Sequence, residues 1–202
     1  MIVALVGAVA SAGIGGYVAW RIDYPVHHFA VVREGVLYRS GGPAPEQLHH
    51  LVDKYGIRTV VNLRGQRAES PWWRGETAFC SQRGLNMVNI EMADEAAAQA
   101  NIVTFLDIVG DPANRPVLVH CEAGSSRTGF AVAAYRIAFD GWTFDKALAE
   151  AVEFRFKAGH TTNQEYENVL RLLAEGGVPG VNRWSPASAG SSSAPASRAG
   201  GL

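Results

Sequence analysis

Short β-branched runs alternating with longer amphipathic stretches constrain this chain more than any other feature. Residues 59–63 (Thr-Val-Val-Asn-Leu), 87–90 and 117–119 (Val-Leu-Val) each read as a buried strand, since brief apolar runs of this kind suit a sheet covered on both faces. Ahead of them, Ala30-Val31-Val32 and Val36-Leu37-Tyr38 flank Glu34-Gly35 and predict a hairpin. Helical periodicity fills the intervals: 45–55 stopped by Gly56, 69–83 stopped by Gly84, and 96–109 broken by Gly110-Asp111-Pro112. Further helices are expected at 128–139, 144–156 and 164–173. The pattern implies an α/β fold, a three-layer domain with a mostly parallel central sheet flanked by helices. Ligands of such sheets bind beyond the carboxyl ends of the strands. The residues after Val119 are where a site belongs.

That segment runs His120-Cys121-Glu122-Ala123-Gly124-Ser125-Ser126-Arg127-Thr128-Gly129. A strand ends, a turn of small residues follows, and a helix starts near Arg127. Successive backbone N–H groups in such a turn form an anion-binding concavity. The helix start adds free N–H groups and the positive end of its dipole. A phosphate fits there, cradled by Glu122, Ala123, Gly124, Ser125, Ser126 and Arg127. A cysteine at the mouth feels the same field, which favours the nucleophilic thiolate. Five residues separate Cys121 from Arg127, which lets the guanidinium fork return across the loop and hold two phosphate oxygens. Gly124 supplies backbone that a side chain would obstruct. Thr128 is placed to donate its hydroxyl to the sulfur, and His120 to orient the nucleophile.

The run His-Cys-x-x-Gly-x-x-Arg-Thr-Gly resembles the signature of the protein tyrosine phosphatase superfamily. Leu37-Tyr38-Arg39-Ser40-Gly41 and Gly56-Ile57-Arg58-Thr59-Val60-Val61-Asn62-Leu63-Arg64 are similar to the opening of small bacterial and atypical dual-specificity phosphatase domains. The resemblance covers residues 30–160 and implies a cysteine-dependent phosphatase of that cysteine-phosphatase fold. It implies attack by Cys121 on phosphorus, a cysteinyl-phosphate stabilised by Arg127 and the loop amides, and hydrolysis by water, with neither metal nor cofactor. It also implies an acid that protonates the leaving oxygen, taken from the loop after the preceding strand. That loop reads Glu91-Met92-Ala93-Asp94-Glu95, without the Trp-Pro-Asp spelling of classical tyrosine phosphatases. Asp94 is the first choice, with Glu95 and Glu91 as rivals. Arg39 and Arg64 are either surface charges or, as the resemblance suggests, supports near the site.

The two ends are of another kind. Residues 2–20 carry no charged side chain, and as a helix they would span about 28 Å, the thickness of a bilayer's hydrocarbon core. Tyr17, Trp20 and Tyr24 gather where an aromatic belt would sit. The expectation is a single-pass transmembrane helix in residues 1–21, with a cleaved signal at Ala10-Ser11-Ala12 or a core helix as alternatives. Arg21, Arg33 and Arg39 follow the span and assign the catalytic domain to the cytoplasm, or to the periplasm or exterior if a signal is cleaved. The domain itself is expected at 22–183. Residues 184–202, almost all Ser, Ala, Gly and Pro, read as a disordered tail.

A formal net charge of −1 gives no electrostatic case for nucleic acid. The two cysteines, Cys80 and Cys121, make neither a disulfide framework nor a metal-ligand pattern. Cys80 reads as an inert buried thiol, or else a resolving partner for oxidised Cys121. His49, His50 and His160 read as solvated rather than metal-bound. Trp72-Trp73 reads either as core or as a lip over the cleft, and Gln164 as a helix-start residue or a positioner of water.

Rhodanese-like sulfur transfer is disfavoured because the loop ends in Arg-Thr-Gly. Arsenate reduction would need more cysteines. A pseudophosphatase that binds phosphorylated partners without turnover typically loses the cysteine or arginine, and both are present. The partners expected are a phosphorylated protein or a phospholipid. The loop holds Glu122 and no lysine, so inositol polyphosphates are disfavoured on charge.

Overall fold

The computed structural model describes residues 26–92 and 94–180. Five strands, β1 Ala30–Arg33, β2 Leu37–Ser40, β3 Thr59–Asn62, β4 Asn86–Asn89 and β5 Val117–His120, form one sheet in the order β1-β2-β5-β3-β4. β1 and β2 form the expected antiparallel hairpin, turning at Gly35 with φ 68°. The β2–β5, β5–β3 and β3–β4 pairings are parallel. The sheet is therefore mixed, with one antiparallel edge on a parallel body. Six α-helices among the described residues flank it: α1 Pro45–Tyr55, α2 Pro71–Gln82, α3 Glu95–Gly110, α4 Ser126–Asp140, α5 Phe144–Glu153 and α6 Thr161–Ala174. α1 opens on a proline and closes on Gly56 in the left-handed conformation, the usual asymmetry of helix ends.

Strand alternation divides the interior into two cores. Tyr38, Val60 and Leu118 face α1 and α2, where they pack with Leu48, Leu51, Val52, Ile57 and Cys80. Leu37, Val61, Val117 and Val119 face the opposite way, into a larger core built from α3 to α6. α4 is the hub of that core. Ten of its residues are buried, and it packs against α3, α5 and α6. A helix apolar on all sides belongs in an interior.

One expectation needs correcting. The strand expected at 87–90, buried on both faces, runs from Asn86 to Asn89 and its side chains are half-buried or exposed. Among the described residues it is an edge strand with a neighbour only in β3, so asparagine is accommodated at both of its ends at low cost. The expected membrane segment at 2–20 and the tail at 184–202 lie outside the described residues. Among the described residues, no helix is long and apolar enough to cross a membrane.

Candidate active site

β5 ends the parallel body of the sheet and hands the chain to the loop between His120 and α4. Because side chains alternate, His120 points to the α1–α2 side and Cys121 to the larger core. Cys121 is 2% exposed, and the Gly124 N–H donates to its Sγ at 3.3 Å.

Each carbonyl from 121 to 125 accepts a hydrogen bond from outside the cradle. The Cys121 carbonyl accepts from His120 Nδ1 at 3.1 Å, and that of Glu122 from the Gly42 N–H at 2.8 Å. The Ala123 carbonyl takes His28 Nδ1 at 2.7 Å and the Gly124 carbonyl takes Arg39 at 2.6 Å. The Ser125 carbonyl takes the Gly129 N–H at 2.7 Å, as the first turn of α4 closes. In a trans peptide the carbonyl and the next N–H point in opposite directions. With five carbonyls drawn outward, the N–H groups of 122 to 126 turn inward together. The loop is thus a preformed anion cradle.

Glycine is required at two points. Gly124 has φ 72°, and a Cβ there would lie 2.7 Å from the Gly41 nitrogen and 2.9 Å from the Ser40 carbonyl. A Cβ on Gly41 would meet the Glu122 oxygen at 2.9 Å. The loop rests directly on the backbone at the end of β2.

The other expected residues fall as follows. Arg127 is the second residue of α4, and its guanidinium reaches the Leu63 carbonyl at 3.4 Å, beyond the end of β3. Glu122 turns its exposed carboxylate to Arg64 at 3.5 Å, so only its backbone faces the cradle. Thr128 departs from expectation. It is fully buried, and its hydroxyl lies 3.5 Å from the Ser40 carbonyl. The hydrogen bond to the sulfur comes from the Gly124 N–H instead, because the loop folds back over Cys121 before α4 begins.

His120 is held at both ends. Its Nδ1 faces a carbonyl, which only accepts, and its Nε2 lies 2.6 Å from the Glu76 carboxylate. Both ring nitrogens therefore lie against oxygens of the protein. Glu76, on α2 and buried, was invisible to sequence reasoning; no local pattern ties a mid-helix glutamate to a strand end. His28, with φ 52°, was missed for the same reason.

The backbone of the acid loop is held by fewer side-chain contacts. Asp94 is exposed at the N-cap of α3, where one carboxylate oxygen accepts the Ala97 N–H at 2.8 Å. Glu91 pairs with Arg67 at 2.6 Å. The Asn101 amide holds the Glu91 carbonyl at 2.6 Å, and the Tyr166 hydroxyl holds that of Met92 at 2.9 Å. The Glu95 side chain and Ala93 lie outside what is described. Tyr166 is buried and stacked on Phe130 of α4. Burial raises its hydroxyl above the usual phenol range, and it feels the charges of Arg127, Cys121 and Asp94. The acid loop and α4 therefore both pack on this ring.

The lip is made by α2. Arg64 stacks 3.5 Å over the Trp72 ring, while Trp73 donates to Asn89 at 3.3 Å. One tryptophan serves the rim and the other the sheet edge. Cys80 packs on the opposite face of the sheet from Cys121, and burial pushes its thiol up to about 12. Such a thiol is unreactive, and its placement removes it as a resolving partner. His49 pairs with Asp53 at 3.1 Å, Gln164 is exposed in the first turn of α6, and no metal-binding cluster occurs among the described residues.

Comparison with known proteins matches residues 28–168 to a family described as a DSP-PTPase phosphatase fused to NAD+ kinase. The chain is 24% identical over 157 residues to the inositol diphosphatase SIW14 of Saccharomyces cerevisiae, covering 75% of this chain and 54% of the relative. It is 28% identical over 115 residues to the dual specificity protein phosphatase TpbA of Pseudomonas aeruginosa, covering 56% and 49%. The chain spans about half the length of both relatives. Among solved structures, the core catalytic domain of the S. cerevisiae PP-IP phosphatase SIW14 superposes with a TM-score of 0.61 at 22% identity, over 81% of this chain and 97% of that one. At that identity the likeness is one of fold.

Proposed function

The chain belongs to the DSP-PTPase phosphatase family and is a phosphatase enzyme, and on that premise we propose that it works through a covalent phosphate on Cys121. The Cys121 thiolate attacks phosphorus as the bond to the leaving oxygen breaks. Asp94 gives that oxygen its proton. Arg127 and the inward N–H groups of 122 to 126 hold the equatorial oxygens as charge develops on them. Water then attacks the cysteinyl-phosphate, Asp94 takes the proton, and the S–P bond breaks to release phosphate and thiolate. The Asp94 oxygen not engaged by the Ala97 N–H is the one available for this work.

The observation that carries the reading is the outward turning of five consecutive carbonyls beside Cys121. An inert loop has no reason to align its donors on one centre. A binding-only role is not favoured, since Cys121 and Arg127 both remain.

A singly phosphorylated group, such as phosphotyrosine on a protein, is the substrate class we favour. The cradle adds no cationic side chain beyond Arg127, and at the rim Arg64 and Arg67 each face a carboxylate, Glu122 and Glu91. The rim therefore offers little net charge to a polyanion. Inositol diphosphates are the second reading, suggested by the name of the yeast relative.

The test is hydrolysis of p-nitrophenyl phosphate with EDTA present, beside Cys121→Ser. We expect turnover by the parent and silence from the variant. Turnover that survives the substitution would overturn the cysteine mechanism. Competition between a phosphotyrosyl peptide and a diphosphoinositol polyphosphate then separates the two substrate readings.

A further inference from the structure

Among the described residues the sulfur of Cys121 accepts one hydrogen bond, from the Gly124 N–H at 3.3 Å. That N–H belongs to the trans peptide joining Ala123 to Gly124. Such a peptide is a rigid plane, so fixing its carbonyl fixes the direction of its N–H. The Ala123 carbonyl lies 2.7 Å from His28 Nδ1, and Ser125 Oγ lies 3.4 Å from the same nitrogen. A carbonyl oxygen only accepts, so Nδ1 is the donor in that bond. A continuous line of contacts runs from the His28 ring, through one peptide, to the sulfur.

The backbone around His28 is arranged to deliver the ring. His28 is the third residue of a turn from Val26 to Phe29, closed by the Phe29 N–H donating to the Val26 carbonyl at 2.9 Å. Its φ of 52° is left-handed, where glycine or asparagine is the usual occupant of a turn. Histidine adopts that conformation at a cost, which a packed surrounding must offset. The surrounding is present. Val26 is buried in the smaller core, and the Gly41 N–H at the end of β2 donates to the His27 carbonyl at 2.6 Å. The His28 ring meets Phe154 edge-on, with centroids 6.3 Å apart. The next peptide is held separately: one terminal nitrogen of Arg39 donates to the Gly124 carbonyl, while its other nitrogens meet no acceptor among the described residues. Of the five anchors on the cradle carbonyls, His28 alone reaches in from ahead of β1.

We infer that His28 is a positioning residue for the nucleophile, holding the 123–124 peptide so that the Gly124 N–H stays aimed at Cys121 Sγ. The aim matters before attack, and again when the S–P bond breaks and the sulfur takes back its electron pair. This rests on Cys121 being the nucleophile. Arg127 and the remaining N–H groups of the cradle serve the phosphate, so loss of His28 should fall on the chemistry rather than on substrate binding.

The experiment is steady-state hydrolysis of p-nitrophenyl phosphate by the full chain, with folding followed by circular dichroism. His28→Ala should lower kcat about tenfold and leave KM within about twofold, the pattern of an interaction felt after binding. His28→Gly suits the left-handed backbone but has no donor, and should lose as much kcat as His28→Ala. His28→Asn also tolerates that backbone, and its side-chain amide can donate where Nδ1 does, so it should stay within about threefold of the parent. Recovery in His28→Gly would make turn strain the cause, and His28→Asn as slow as His28→Ala would make ring packing the cause. Either result overturns the inference, as would a loss carried by KM or parent rates in all three variants. If His28→Ala does not fold, the glycine and asparagine variants decide by the same criteria. Failure of the nucleophile reading looks different: Cys121→Ser would then turn over beside the parent.

Discussion

The phosphate cradle and the acid loop face the same space but are held in opposite ways. In the cradle, five consecutive carbonyls are anchored, two by backbone N–H groups and three by His28, Arg39 and His120. Its floor is the backbone of β2, in contact so close that a methyl group would not fit at Gly124. The acid loop has two side-chain anchors on its backbone, Asn101 and Tyr166, and its candidate acid is exposed. The lesson concerns when each part must be in place. A cradle must be aligned before the substrate arrives, because reorganising dipoles during the reaction would consume the stabilisation they provide. An acid can take its final position around the leaving group.

Substitutions can break that contrast. Arg127→Ala removes the one cationic side chain of the cradle, and turnover of p-nitrophenyl phosphate should fall about 10³-fold. A loss below about tenfold would mean that the amides alone suffice. Asp94→Asn should cost about 10²-fold on phenyl phosphate and much less on p-nitrophenyl phosphate, whose better leaving group needs little proton donation. Equal losses on both substrates would move the acid elsewhere. Gly124→Ala should lower stability by about 2 kcal/mol or more in urea unfolding, from left-handed strain and overpacking together. Tyr166→Phe frees the Met92 carbonyl and should reduce turnover about threefold with about 1 kcal/mol of stability. If its effect on turnover matched that of Asp94→Asn, the acid loop would be as rigidly required as the cradle. The smallest effect belongs to Cys80. Its raised thiol predicts that native Cys121→Ser takes up no iodoacetamide at pH 8, and labels only after unfolding.

The same contrast decides what could be read from the sequence. The cradle is contiguous, so Cys121, Gly124 and Arg127 announced themselves by spacing, and the strand–turn–helix frame around them is the one observed. Helix ends were legible where Gly56 and Pro45 punctuate them. The anchors were not. His28 meets Ala123 across 95 positions and Tyr166 meets Met92 across 74, and a histidine in a loop or a tyrosine on a helix carries no mark of its distant partner. Thr128 shows the reverse error. Adjacency in the motif suggested a bond to the sulfur, but the fold buries its hydroxyl against Ser40. β4 was misjudged because a short apolar run looks alike at the centre and at the edge of a sheet. Arg39 stood out only through resemblance; its unpartnered nitrogens required the packed structure to be seen.

The helix that starts the cradle is also the axle of the larger core, with ten residues buried and three helices packed around it. Heat cannot then melt the catalytic centre ahead of the rest of the domain. Loss of activity on warming should coincide with loss of the whole fold in one cooperative step, and the enzyme assay becomes a thermometer for the entire protein. Backbone amides in the buried middle of that helix, Phe130 to Ala138, should accordingly be among the slowest in the described chain to exchange their hydrogens with heavy water.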